Sequence, residues 1–145
     1  MGIRTIMFKG KRVDKGEWVE GYMLMSEWND SVYIVTQDEC NYNAGDYIFD
    51  GSINKVIPET VGQYTGLTDK NGTKIFEGDI IAGAVRWLER RKNGVVAFRD
   101  GSYGLIWYRG DVEQFNAFTS MCNIEYEIIG NIHDNPELLK GETNA

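Results

Sequence analysis

Short runs rich in Val, Ile, Tyr, Phe and Trp, separated by glycine-bearing turns, dominate this chain and leave little room for helical periodicity. Seventeen glycines stand against two prolines. Trp18 to Met25 alternates imperfectly and reads as a strand, and the cluster Asn29-Asp30-Ser31 turns the chain into a second strand, Val32 to Thr36, making a hairpin. Residues 38 to 52 mix Asp, Asn, Gly and Tyr, which predicts a loop with one short strand or helical turn at Tyr47-Ile48-Phe49. Val56-Ile57 ends a strand before Pro58, because proline lacks the N–H that a central ladder needs. Val61 to Leu67 is then expected to be extended.

The strongest turn is Asp69-Lys70-Asn71-Gly72, since Asn and Gly tolerate the positive φ of tight hairpins. It joins Gln63–Leu67 to Thr73–Phe76. Glu77-Gly78-Asp79 predicts a second turn before a strand from Ile80 to Trp87, and Lys92-Asn93-Gly94 a third, leading into Val95–Phe98. Asp100-Gly101 turns the chain again ahead of Leu105–Tyr108. Ile124 to Ile129 alternates apolar residues with Glu125 and Glu127, the period of a half-buried strand. Helical signals come last: Asp134 or Asn135 caps a short turn with Pro136 at its first position, running to Lys140, and residues 141 to 145 read as a flexible tail. Turns every ~8 to 12 residues argue for a barrel or a sandwich.

At 145 residues, one hydrophobic core closes comfortably, so residues 1–140 are expected to form a single domain. The longest apolar runs, such as Ile80 to Ala82, fall far short of the ~20 residues of a spanning helix. The apolar stretch near the N-terminus is interrupted by Lys9 and too brief for a signal peptide. The expected location is therefore the cytoplasm, with no membrane partner. Cys40 and Cys122 are too few and too far apart for a disulfide scaffold or a four-ligand zinc site and are expected to be free thiols.

A net charge of −7 opposes non-specific phosphate binding, which rests on neutralisation by Lys and Arg. The charge is uneven, however. Residues 1–16 are basic, with Arg4, Lys9, Lys11, Arg12 and Lys15, and residues 111–145 are acidic. The sharpest functional hint is Arg86-Trp87-Leu88-Glu89-Arg90-Arg91-Lys92, a basic segment with an aromatic ring. Proteins that grip single strands combine positive grooves with stacking rings, which makes Arg86, Trp87, Arg90, Arg91 and Lys92 candidate nucleic-acid contacts. The plainer reading is a hairpin whose charges guard an edge strand while Trp87 packs inside.

Other chemistry finds less support. Glu59, Asp69, Glu77 and Asp79 invite a metal reading, but Asp69-Lys70-Asn71-Gly72 reaches its glycine too soon for a calcium loop, and turn chemistry explains these residues. Glu77 and Asp79, taken as exposed turn carboxylates, lack the contrasting environments that acid–base pairs require. His133 is the single histidine, beside Asp134 and Asn135, and reads as part of a turn or cap. The sequence has no Gly-x-Ser-x-Gly elbow, no Gly-x-Gly-x-x-Gly fingerprint and no phosphate loop. No catalytic, cofactor or metal residues are therefore expected. The many rings, among them Trp18, Tyr22, Trp28, Tyr64, Phe98, Trp107 and Tyr108, are expected mostly in the core or in interfaces, where they could also support a homo-oligomer.

The run Val56-Ile57-Pro58-Glu59-Thr60-Val61-Gly62-Gln63-Tyr64-Thr65-Gly66-Leu67-Thr68-Asp69-Lys70-Asn71-Gly72-Thr73-Lys74-Ile75-Phe76-Glu77-Gly78-Asp79-Ile80-Ile81 resembles the signature of the YopX family. Gly94-Val95-Val96-Ala97-Phe98, Tyr126 to Leu138 and Gly16-Glu17-Trp18-Val19-Glu20-Gly21-Tyr22 fit the same pattern. The start departs from it, with Arg4-Thr5-Ile6-Met7 where many members carry Arg-Ala-Trp-Asp. The resemblance implies a mainly β, compact, barrel-like domain of short, mostly antiparallel strands, and a phage or prophage origin. It implies no activity and no catalytic residues. The expectation is a non-enzymatic protein-binding or regulatory module, with a nucleic-acid-binding barrel as the alternative.

Overall fold

A computed structural model describes residues 3–37, 51–88, 90–118, 126–140 and 142–144. The chain divides into two compact units, Met1–Gln63 and Tyr64–Ala145. The expected loop element at Tyr47-Ile48-Phe49 and both cysteines lie outside the described residues.

In the first unit, β1 (Phe8–Lys11), β2 (Trp18–Met25), β3 (Val32–Gln37) and β4 (Gly51–Val56) form an antiparallel sheet in the order β4-β3-β2-β1. The β2–β3 hairpin is the expected one. Period-two alternation sends Val19 and Met23 of β2 to the same side as Val32, Ile34 and Val56, and there they build a core with Phe8 and Val61. β2 changes partner along its length: Trp18–Gly21 pairs with β1 and Tyr22–Met25 with β3. Gly21 sits at the exchange, and a Cβ there would lie 2.1 Å from the Val35 carbonyl oxygen. Only glycine permits so close a backbone approach.

Pro58–Thr60 forms a 3₁₀ turn where the strand was expected to stop. The buried Thr60 hydroxyl donates to the Ile57 carbonyl at 2.6 Å and accepts from the Lys11 N–H at 2.9 Å, tying the turn to the end of β1. Just beyond β1, an isolated bridge joins Arg12 to Val56. β5 (Gly62–Thr68) begins in this unit, where Gly62 and Gln63 pair with Lys9 and Phe8.

In the second unit, the rest of β5 pairs with β6 (Lys74–Phe76), across the turn expected at 69–72. Gly72 supplies that turn's positive φ, +82°. β7 (Asp79–Trp87), β8 (Arg90–Arg99), β9 (Ser102–Arg109) and β10 (Val112–Ala117) follow as an antiparallel meander. Asp100 and Gly101, with φ of 51° and 80°, make the tight β8–β9 turn. β11 (Ile128–Asn131) returns to pair with β7, Pro136–Lys140 is the expected short helix in 3₁₀ form, and β12 (Glu142–Asn144) pairs with β8. Ile75, Ile81, Val85, Val96, Leu105 and Trp107 form the buried core, joined by Phe118, Tyr126 and Ile128.

The architecture is mainly β and antiparallel, as expected, but the barrel is not. Both strand paths are open among the described residues, and one bridge at Arg12 is not a closing ladder. Lys92-Asn93-Gly94 is no turn: it lies inside β8, and the chain reverses instead around Leu88, whose φ is +56°. Asn93 fills a different need. The β7–β8 register shifts between Ile81 and Val85, and the Asn93 side chain accepts the Gly83 N–H at 2.8 Å while donating to the Leu138 carbonyl at 2.9 Å. The segment expected as a tail contains β12, held by backbone pairing to residues 90–92 of β8. Among the described residues no helix is long and apolar enough to cross a membrane.

Candidate functional site

The basic segment folds into the far end of the β7–β8 hairpin. Arg86 pairs with Arg91, Trp87 with Arg90, and Val85 with Lys92. Directly opposed residues share a face and neighbours along a strand do not, so Arg86 and Arg91 stand on one side while Arg90 and Lys92 stand on the other. Arg86, Arg90 and Arg91 are exposed, whereas Lys92 is buried, at 8%. The Arg91 guanidinium donates to the Gly83 carbonyl at 3.3 Å. The ladder thus splits the four basic candidates between two faces.

The two aspartates of the recognised run, Asp69 and Asp79, serve backbone amides. The Asp69 carboxylate accepts the N–H groups of Asn71 and Thr73, both at 2.9 Å, and of Ile128 at 3.2 Å. Burial pushes its carboxyl up, but those three N–H groups and the Lys70 charge outweigh it and hold it below the usual carboxylate value. Asp79 differs from its expected exposure. It is 2% exposed and accepts the Phe76 N–H at 2.8 Å, closing the Glu77-Gly78 turn from within. His133 is exposed, in a loop organised by Asn131, whose side-chain oxygen accepts the N–H groups of His133 and Asp134 at 3.0 and 2.9 Å. Among the described residues no group of three or more His, Cys, Asp or Glu is placed to hold a metal ion.

The first unit carries a surface of which the sequence named only Tyr22 and Trp28, among rings expected in the core or in interfaces. On the other side of the sheet, the ladder lines up Tyr22, Val35 and Ile53, with Val35 buried at 6% between its two exposed neighbours, and beside them Leu24, Tyr33 and Lys55. Tyr22, Leu24 and Ile53 are 53%, 52% and 66% exposed. At the hairpin's turn, Trp28 is 96% exposed. Next to Tyr22, a cleft of about 590 Å³ opens between residues 3–8 and the Tyr22-Met23 stretch of β2. Period two alone did not reveal this surface, because alternating apolar residues look alike whichever face the fold covers.

Comparison with known proteins supports the sequence signature. The family model described as YopX protein matches residues 7–140. No curated protein matches the chain. Among solved structures, the crystal structure of protein EF1440 from Enterococcus faecalis is similar, with a TM-score of 0.54 and 25% identity, covering 93% of this chain and 98% of that one. With the family pattern spanning both units, this chain belongs to the YopX protein family.

Proposed function

We propose that this chain is a phage- or prophage-encoded, non-enzymatic module of the bacterial cytoplasm that works by binding another protein. The observation that carries the reading is the β2–β3 hairpin, which leaves Tyr22, Leu24 and Trp28 exposed. Soluble chains rarely expose contiguous apolar surface without a use for it, and Trp and Tyr dominate the energetics of protein interfaces. Of the carboxylate pair that an acid–base reading would need, Glu77 and Asp79, Asp79 is buried and accepts the Phe76 N–H. Affinity capture from phage-infected or induced cells tests this, with the parent chain run beside a Leu24→Asp/Trp28→Ala variant. A defined protein retained by the parent and lost by the variant is expected; equal recovery by both refutes the role of this hairpin.

Exposed Arg86, Arg90 and Arg91 favour a second reading, binding of single-stranded nucleic acid by the β7–β8 hairpin. The net charge of −7 weighs against it. A gel shift with short single-stranded DNA at low salt, repeated with an Arg90→Ala/Arg91→Ala/Lys92→Ala variant, decides. No shift by the parent ends this reading.

A further inference from the structure

The cleft beside Tyr22 follows from the way β2 exchanges partners. Phe8 pairs with Gly21, so a longer β1 would carry residues 4–7 alongside Tyr22–Met25. Those residues take no strand conformation. β3 occupies only the opposite edge of Tyr22–Met25, because β2 lies between β3 and β1. Among the described residues no strand pairs with the edge that faces the cleft. Backbone N–H and C=O groups on such an edge are a template for another strand. The walls are apolar, including Ile6, Phe8, Tyr22 and Met23, and Arg4 is the one charged residue among them. A volume of about 590 Å³ falls within the range of ordinary ligand sites, ~300 to 1,000 Å³.

We propose that this cleft receives an extended segment of a protein partner, which adds its backbone to the free edge of β2. The segment seats an apolar side chain against Ile6 and Tyr22 and places a carboxylate beside Arg4. This rests on the protein-binding reading above and names the chemistry of the partner. A polypeptide fits better than a nucleic acid, since one arginine neutralises too few phosphates. It fits better than a compact metabolite, since an open strand edge rewards a repeating backbone with main-chain hydrogen bonds. The carboxylate follows from Arg4, whose planar fork matches it.

The test titrates the full ¹⁵N-labelled chain with two eight-residue peptides of alternating Val and Ser around a central Phe, one with Glu beside the Phe and one with Lys. The Glu peptide is expected to shift amides of residues 3–8 and 22–25 and to bind about tenfold tighter than the Lys peptide, the effect of one charge pair of about 1.4 kcal/mol. Arg4→Glu, at an exposed position, is expected to reverse the order, and Ile6→Ala to weaken both. Equal binding of the two peptides, shifts confined to Leu24 and Ile53, or no shift with either peptide overturns the proposal. If capture through Leu24 and Trp28 succeeds while the peptides leave residues 3–8 unmoved, the cleft fails alone; if capture fails too, the protein-binding reading falls with it.

Discussion

Replacing Asn93 removes the side chain that joins the irregular part of β7 to the C-terminal 3₁₀ helix. Its amide is 5% exposed and makes two hydrogen bonds, to the Gly83 N–H and the Leu138 carbonyl. Asn93→Ala leaves both of those backbone groups without that partner. Each such loss costs about 1 to 3 kcal/mol when the orphaned group is buried. Gly83 and Leu138 are only half-buried, so water softens the loss and the low end applies, about 2 to 4 kcal/mol in total. At about 3 °C per kcal/mol for a chain of this size, the melting midpoint falls by about 6 to 12 °C. Amide hydrogen exchange locates the effect: the Gly83 N–H is expected to lose its local protection, while Val96, within the β8–β9 ladder, slows or speeds only with the global stability. Asn93→Asp separates the two bonds. The carboxylate still accepts from Gly83 but offers the Leu138 carbonyl no proton, which raises its folded pKa. Its penalty is full above that raised value and shrinks as the pH falls toward about 4, where the protonated acid donates again. A loss below about 1 kcal/mol for Asn93→Ala, with Gly83 exchange unchanged, would refute the reasoning.

Three further perturbations follow from close approaches and charge. Gly104→Ala puts a Cβ 2.4 Å from the Asn116 carbonyl oxygen and 2.6 Å from the Phe115 ring; it is expected to cost about 2 to 3 kcal/mol in urea unfolding, and a neutral result would mean that β10 yields easily. Gly21→Ala meets the Val35 carbonyl at 2.1 Å and is expected to disturb β2–β3 amide shifts while leaving those of β8–β9 unchanged. Asp69 has a folded pKa below its ordinary value of 3.8, so its stabilisation is complete above about pH 4 and is lost as the pH falls through the lower folded value. Asp69→Asn should flatten the acid limb of a stability–pH curve, and an unchanged limb would assign acid sensitivity to other carboxylates.

The hairpins at 18–36, 64–76 and 95–108 were legible because their turns are local chemistry, readable from a few adjacent residues. Asn93-Gly94 shows the limit of that chemistry. The dipeptide has the look of a hairpin turn, yet Asn93 serves a bulge on the neighbouring strand, and Gly94 is small because a Cβ would lie 3.0 Å from Leu105. Both reasons belong to residues ten or more positions away. β10 escaped notice because Glu113, Gln114 and Asn116 mask its strand character, and its place comes from pairing with β9. β12 has three residues and exists only against β8. The basic segment was found, but its division between two faces depends on the register of the β7–β8 ladder, which moved when the turn moved to Leu88. The cleft had no local signal, since it arises where β1 stops short of Tyr22.

The return of residues 126–144 to β7 and β8 also sets an order of events during synthesis. The strands from β7 to β10 are joined by short turns, so their pairing is local in the chain and needs nothing that is synthesised after β10. The outer edge of β7 and the first three residues of β8 then wait for β11 and β12, some 50 residues behind them in the chain. At ~5 to 20 residues per second, that interval lasts a few seconds. During it the nascent second unit offers bare strand edges, with Ile80 and Ile81 not yet paired to β11. The step most exposed to misassembly in the second unit is therefore its last one.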